Sequence, residues 1–268
     1  MAEQKTKKGR VLSIAGSDSG GGAGIQADVK TITALGGYAM TAITAITVQN
    51  TRGVFGVHGV PQDIIRGQIE KVLSDLGADA LKIGMLGDAA TVETVAAAIA
   101  DYPAPLVLDP VMIAKGGEAL LADSAVEALM AKLLPRALLV TPNAPEAERL
   151  TGIAVTDVVT QKQAGEKLLA LGAKAALVKG GHIAGPVVSD VLVMETGVVT
   201  LESARIETSA THGTGCTLAS AIATNLAHGN DLEGSVRWAR DYLLEAIARA
   251  PGLGGGHGPL AHNWTFYE

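Results

Sequence analysis

The sequence predicts an α/β protein with a central, mostly parallel, twisted sheet, helices on both faces and a small antiparallel hairpin at one edge. Three observations lead there. Short apolar runs alternate with longer segments of helical apolar spacing along most of the chain, which is the mark of right-handed strand–helix–strand units. Polar and Gly-rich clusters directly follow the apolar runs, and in such sheets ligands bind beyond the carboxyl ends of the strands. Finally, 268 residues at 48% hydrophobic composition supply one large core, with no repeat, long linker or composition shift to mark a second domain. Residues 10–268 are read as a single domain and residues 1–9 as a disordered polar tail.

Taken in order, Val11 to Ala15 is the first strand, ending in the loop Gly16-Ser17-Asp18-Ser19-Gly20-Gly21-Gly22-Ala23-Gly24, and Ile25 to Leu35 is the first helix. Gly22-x-Gly24-x-x-Ala27 loosely matches a dinucleotide-binding fingerprint, which also requires an acidic residue roughly 20 positions on. Residues 39–51 contain no acid. The preferred reading is a loop whose backbone closes over a small ligand. Tyr38 to Val48 alternates like a buried strand and delivers Gln49-Asn50-Thr51-Arg52-Gly53 to its exit. Pro61 starts a helix with an apolar stripe through Ile65, Ile69, Val72 and Leu76.

Asp79 to Gly84 is the next strand, leading through Met85-Leu86-Gly87 to a helix over Thr91 to Ala100. Pro105 to Asp109 and Ala137 to Thr141 repeat the strand pattern, separated by a helix from Ser124 to Leu134. They exit into Asp109-Pro110-Val111-Met112 and Pro142-Asn143-Ala144-Pro145-Glu146. A helix over Gln161 to Leu171 precedes the strand Lys174 to Lys179, which ends in Gly180-Gly181-His182. Val187 to Met194 and Val198 to Leu201 form the edge hairpin, turning at Glu195-Thr196-Gly197. Thr211-His212-Gly213-Thr214-Gly215-Cys216 then opens into a small-residue helix, another helix covers Leu232 to Ala250, and Pro251 to His262 is too Gly-rich for regular structure.

Composition excludes several functions. A net charge of -6 with 3% aromatic residues leaves no electrostatic footprint for nucleic acid and few platforms for stacking bases. A single cysteine cannot form an internal disulfide. No apolar run approaches the roughly 18 residues of a membrane span, and Met1 to Arg10 is polar and basic, unlike a signal peptide. A cytoplasmic protein is expected.

The chemistry concentrates at residues 211–216. Backbone N–H groups at the start of a helix face an anion, and the helix dipole favours it. The lone cysteine stands beside that cradle as a nucleophile, as a base in phosphoryl transfer, or as a small buried hydrophobe. The nucleophile reading needs a histidine, and His212 serves only if the loop folds it back. Asn143 and Glu146, three apart, suit either Mg²⁺ and its waters or a helix capping box. Asp109 fits turn chemistry or a site. Lys179, before two glycines, is free to reach a phosphate. Asp28 lies in the first turn of the first helix, where a carboxylate suits the dipole, and Gln49 offers donor and acceptor to a heterocycle edge.

Together, Gly16-Ser17-Asp18 with Gly20 to Asp28, Gln49-Asn50-Thr51-Arg52-Gly53, Lys82-Ile83-Gly84-Met85-Leu86, Leu108-Asp109-Pro110-Val111-Met112, Thr141-Pro142-Asn143-x-Pro145-Glu146, Lys179-Gly180-Gly181-His182, Thr211 to Cys216 and Gly256-His257-Gly258-Pro259 resemble the hydroxymethylpyrimidine/phosphomethylpyrimidine kinases of thiamin biosynthesis, in the ribokinase superfamily. The resemblance runs from about residue 10 to the C-terminus. It implies a ribokinase-like fold and MgATP-dependent phosphorylation of 4-amino-5-hydroxymethyl-2-methylpyrimidine and then of its monophosphate, by a homodimer. It implies that Gly213, Thr214 and Gly215 form the anion hole and that Cys216 replaces the aspartate base of sugar kinases, without covalent chemistry. Asp28 and Gln49 would hold the aminopyrimidine, with Gly16, Met85 and Val111 nearby. Asn143 and Glu146 would organise Mg²⁺ through water, with Asp109, Lys179 and Thr211 at the nucleotide phosphates. Many relatives carry Gly-Lys-Gly-His-Gly-Pro in the tail, where this chain has Gly255 in the lysine position. Pyridoxal-preferring relatives tend to be apolar at the position of Gln49, so a pyridoxal kinase is the nearest alternative and a non-catalytic pyrimidine-binding protein the next.

Overall fold

A computed structural model of the chain describes residues 9–112 and 122–267. The expected tail lies outside them except for Gly9, which is buried and donates its N–H to Asp79 Oδ2 at 3.1 Å. Among the described residues nine strands form one sheet in the order β3-β2-β1-β4-β5-β6-β7-β8-β9. The parallel centre comprises β2 (Tyr38–Asn50), β1 (Arg10–Asp18), β4 (Ala80–Ile83), β5 (Leu106–Leu108), β6 (Leu139–Val140) and β7 (Ala175–Val178). Antiparallel strands close both edges: β3 (Gly53–Gly59) on β2, and the hairpin of β8 (Val187–Met194) and β9 (Gly197–Ala204) on β7.

Alternation along the central strands makes two cores. Leu12 and Ile14, Leu81 and Ile83, Leu106 and Leu108, Val140, and Ala176 and Val178 face one side. There they meet α2 (Gln62–Asp75), α3 (Ala89–Ala98), α4 (Asp123–Lys132), α5 (Ala144–Thr151) and α6 (Val158–Ala170). Val11, Ala80, Val107, Leu139, Ala175 and Leu177 face the other side, covered by α1 (Gly24–Ala34), α7 (Thr214–Ala227) and α8 (Leu232–Ala248). Each fully buried Leu or Ile contributes roughly 1.5–3 kcal/mol relative to exposure. Because both faces are covered, these strands read as apolar runs instead of as polar–apolar alternation.

The architecture is the one expected, with helices on both faces and an antiparallel edge hairpin, and three local differences have physical causes. β1 continues through Gly16-Ser17-Asp18, residues expected in the loop, with its register to β2 shifting between Ala15 and Ser17. β3 is a strand that the sequence pattern hides: it holds three glycines in seven residues and exposes Phe55 and Val57, as an uncovered edge does. The third is α5, which follows Asn143 directly and ends at Gly152 in the left-handed region, φ 74°. Its buried face, Ala144, Ala147 and Leu150, spans only eight residues of helix, too short a stripe to mark it by periodicity alone.

Candidate active site

The turn into α7 requires glycine at residue 213. Gly213 caps the helix with φ 81°, and a Cβ there would lie 1.8 Å from the Gly22 carbonyl oxygen. Thr214, Gly215 and Cys216 are the first three residues of α7, and the first backbone bond of the turn runs from the Thr217 N–H to the Gly213 carbonyl at 2.9 Å. The N–H groups of residues 214–216 therefore point out of the helix end without an intrahelical acceptor. At Gly215 a Cβ would stand 3.2 Å from Lys179 Nζ and 3.4 Å from Asp109 Oδ2. Glycine keeps open the space between a helix N-terminus and a lysine, which is an anion cradle.

The second half of that cradle comes from the exits of β5, β6 and β7. Lys179 Nζ donates to Asp109 Oδ1 at 3.1 Å, and Thr141 Oγ1 lies 3.2 Å from the same oxygen. Asn143 caps α5 by accepting the Glu146 N–H at 3.0 Å, while the Glu146 carboxylate accepts the Asn143 N–H at 2.8 Å. The capping box is thus formed, but it leaves Glu146 beside charged neighbours. Burial pushes its carboxyl up to about 7, with Lys179 opposing and Asp109 adding to the shift. Burial pulls the Lys179 ammonium down, but Asp109 and Glu146 outweigh it and hold the group above its ordinary value. Two buried carboxyl groups, Asp109 and Glu146, thus lie near a single ammonium, which is paired with Asp109.

A clamp that sequence reasoning missed joins the two Gly-rich loops. Asp18 accepts the N–H groups of Gly20 at 2.7 Å, Gly22 at 3.0 Å and Ala23 at 2.8 Å, and its Oδ2 lies 2.8 Å from His212 Nε2. Burial works against the charged Asp18, but His212 and the backbone donors win and hold its carboxyl below the usual range. His212 therefore faces Asp18, so the Cys–His pair that a nucleophile requires is not built here. Its own N–H donates to Gly258, tying in the tail, where His257 donates to the Thr51 carbonyl at 2.7 Å. Thr211 Oγ1 meets His257 Nδ1 at 3.3 Å. Beside it, a Cβ at Gly255 would stand 2.8 Å from Arg52 Nη2, so a guanidinium borders the position where the resemblance predicts lysine.

Asp28 is fully buried. Its oxygens receive Ser13 Oγ at 2.6 Å, Ser220 Oγ at 2.7 Å and Lys82 Nζ at 3.0 Å. Lys82 is the other missed residue; a lysine inside the apolar run Ala80–Ile83 is the signal that could have found it. Cys216 is half-buried, and burial pushes its thiol up to about 11. Lys82 is the leading influence that opposes this, whereas Asp28 and Asp109 reinforce the upward shift.

A cavity of about 510 Å³ joins these parts. Gln49, Asp109, Val111, Asn143, Glu146, Lys179, Thr211 and residues 213–216 border it, so most of the expected site residues share one wall. Further along, Ile206, Leu243, Leu244 and Ile247 make an apolar slot near Arg205 and Arg240. Thr47 Oγ1, 2.9 Å from Gln49 Oε1, sets the orientation of the Gln49 amide. Gly16, Met85 and Asp28 are not on the cavity wall. A Cβ at Gly16 would lie 2.9 Å from Met85 Cε, so Gly16 leaves room for that methionine. Asp28 connects to the site through Lys82 and Ser220. Among the described residues no cluster of three or more His, Cys, Asp or Glu could hold a metal.

The chain is 48% identical over 258 residues to the hydroxymethylpyrimidine/phosphomethylpyrimidine kinase of Streptomyces coelicolor, covering 96% of each chain. It is 49% identical over 256 residues to the thiamine biosynthesis bifunctional protein of Geobacter sulfurreducens, covering 95% of this chain but only about half, 52%, of that longer protein. Among solved structures, the ADP complex of Bacillus subtilis pyridoxal kinase superposes with a TM-score of 0.91 at 35% identity, over 98% of this chain and 100% of that one. The ribokinase-like fold is shared by both activities, and the pyrimidine kinase is the more similar in sequence. Residues 18–261 match the family model described as phosphomethylpyrimidine kinase, and the chain, with its glycine-built cradle beside Cys216, belongs to that family of kinases.

Proposed function

We propose that this chain transfers the γ-phosphoryl group of ATP to the hydroxymethyl oxygen of 4-amino-5-hydroxymethyl-2-methylpyrimidine and then to the monophosphate so formed, in thiamin biosynthesis. The observation that carries the reading is the convergence at Gly215 of the α7 N-terminus, Lys179 and Asp109, with Cys216 next in the chain. Phosphoryl transfer asks a protein chiefly for positioning and for neutralisation of charge on the moving group. The N–H groups of residues 214–216 and the Lys179 ammonium meet that demand.

In the first reaction the alcohol oxygen forms a bond to the γ-phosphorus as the bond to ADP breaks, and the alcohol's proton passes to the Cys216 sulfur. Gly213, Thr214 and Gly215 hold the transferred group. Gln49 and Val111 hold the pyrimidine on the cavity wall, with Gly16 and Met85 shaping the sheet end beside it. Asp28 serves the pyrimidine end indirectly, through Lys82. Thr211 and Asp109 stand at the phosphates, and the apolar slot of Ile206, Leu243 and Ile247 suits an adenine. The excess of buried carboxyl at Asp109 and Glu146 fits a divalent cation, so Asn143 and Glu146 would hold Mg²⁺ through water. When bound, Mg²⁺ neutralises phosphate charge.

Exposed Ile46, Val48, Phe55 and Val57 on the β2–β3 edge suit coverage by a second copy, which supports a homodimer; sedimentation velocity tests it. No helix among the described residues is long and apolar enough to cross a membrane, and a cytoplasmic location is part of the proposal. The reading is tested by following ADP release with MgATP and, in parallel, the pyrimidine alcohol, its monophosphate and pyridoxal. Turnover of both pyrimidines above pyridoxal is expected. A preference for pyridoxal would overturn the role given to Gln49, and ligand-induced thermal stabilisation without any turnover would mean a binding protein.

A further inference from the structure

Near Cys216 lies a buried ion pair to which the proposed function gives only an indirect part, at the pyrimidine end. Lys82 is fully buried, and so is its partner Asp28, at 3.0 Å. Burying two charges costs several kcal/mol per ion in effect, and apolar residues often replace such pairs without loss of stability. Stability alone is therefore a weak reason for the pair.

Its placement suggests another. Ser13 and Lys82 are register partners on β1 and β4, and both reach Asp28 on α1. Lys82 shares the sheet face of Ala80, which α1 and α7 cover. Its ammonium is turned toward the C-terminal end of β4, since a Cβ at Gly84 would stand only 2.8 Å from Nζ. Ser220, which donates to Asp28 at 2.7 Å, is four residues after Cys216 and so lies one turn below it on the same face of α7. Asp28 thus lies about one turn below Cys216, with Lys82 bonded to it. The charged groups that act on or lie toward Cys216 are Lys82 from β4, Asp28 from α1, Asp109 from the β5 exit and Lys179 from the β7 exit. His212 is occupied with Asp18.

We propose that Lys82, held in place by Asp28, is a positioning residue whose buried ammonium stabilises the Cys216 thiolate, in the role that histidine takes beside other reactive cysteines. Lys82 Nζ is turned toward the strand exits, the end of the sheet where α7 begins, and Lys82 is the leading influence opposing the burial of the thiol, with Asp28 working the other way. The kinase reading supplies only the purpose of this arrangement, a sulfur able to take the alcohol's proton; the arrangement itself is testable without turnover.

Cys216 is the single cysteine, so alkylation by iodoacetamide reports on it alone. The full chain carrying Asp28→Asn with Lys82→Met keeps size and removes both charges. Its alkylation rate is measured from pH 7 to pH 10.5 against the unsubstituted protein, with thermal melting as the check on folding. We expect the profile to move to higher pH and the rate at pH 8.5 to fall roughly 3- to 10-fold, as loss of thiolate stabilisation requires. Asp28→Leu with Lys82→Met, which replaces the pair by apolar residues, serves if the first variant does not fold, and the same shift is expected. Coincident profiles in a folded variant would overturn the proposal. Failure of the kinase reading would appear elsewhere, as absent ADP release from the unsubstituted protein with an intact alkylation shift.

Discussion

Cys216 is poised between two demands. A thiol pushed up to about 11 keeps its proton at neutral pH, yet accepting a proton requires the thiolate. The monophosphate, by contrast, attacks through an oxygen that is already ionised and has no proton to lose. Cys216→Ala should therefore slow phosphorylation of the alcohol by roughly 10²–10⁴ in kcat, the usual worth of a general base. It should slow phosphorylation of the monophosphate much less. Equal losses on the two substrates would assign Cys216 a packing role. Gly215→Ala tests the neighbouring claim: its methyl would enter the 3.2 Å gap to Lys179 and should remove most turnover while leaving the melting temperature within a few degrees. Cys216 and its glycines were legible in the sequence because they form a contiguous motif. Lys82 was not singled out, since nothing local shows that a strand lysine turns under a helix 130 residues away.

Glu146 carries a prediction with a definite sign. Its folded-state pKa, about 7, lies above the ordinary 4.5. The folded state binds the proton more tightly, so this contribution to stability is fully present below pH 4.5 and is lost as the pH rises through about 7. Glu146→Gln can still accept the Asn143 N–H but has no charge to bury. Its melting temperature relative to the unsubstituted protein should gain roughly 3–6 °C between pH 4.5 and pH 8, with Mg²⁺-dependent activity reduced. An offset that does not vary with pH would contradict the account.

At the scale of elements, the site depends on two Gly-rich loops, each too irregular to hold itself. Asp18 and His212 supply the missing order by joining the end of β1 to the start of α7. Asp18→Ala leaves three backbone N–H groups and one imidazole without their acceptor, at a cost of about 1–3 kcal/mol for a buried group. Amide exchange at Gly20, Gly22 and Ala23 should accelerate by at least roughly tenfold if the loop opens locally. Unchanged exchange there, with faster exchange throughout the core, would point to global destabilisation instead. The sequence pattern located α1, α2, α3, α4, α6 and α8 to within a few residues. It missed β3, whose apolar side chains are exposed, and left α5 conditional, because the capping box of Asn143 and Glu146 announces only where a helix would begin.

Across the whole molecule, alternation on the central strands sends one set of side chains to α2–α6 and the other to α1, α7 and α8. Parallel pairing brings the exits of β1, β2, β5, β6 and β7 to one edge, where Gln49, Asp109, Asn143 and Lys179 meet the N-terminus of α7. The fold class was readable because strand burial on both faces leaves continuous apolar runs. The mutual approach of residues 18 and 212, or 28 and 82, was not, since such contacts arise only once the sheet order is set. The central claim is that one direct transfer occurs in the cradle, with Cys216 moving a proton and never carrying the phosphoryl group. The stereochemical course of transfer from ATP made chiral at its γ-phosphorus with oxygen isotopes tests it most directly. Inversion in the pyrimidine monophosphate is expected, the outcome of a single in-line displacement; retention would reveal a phosphorylated enzyme intermediate and rule the direct transfer out.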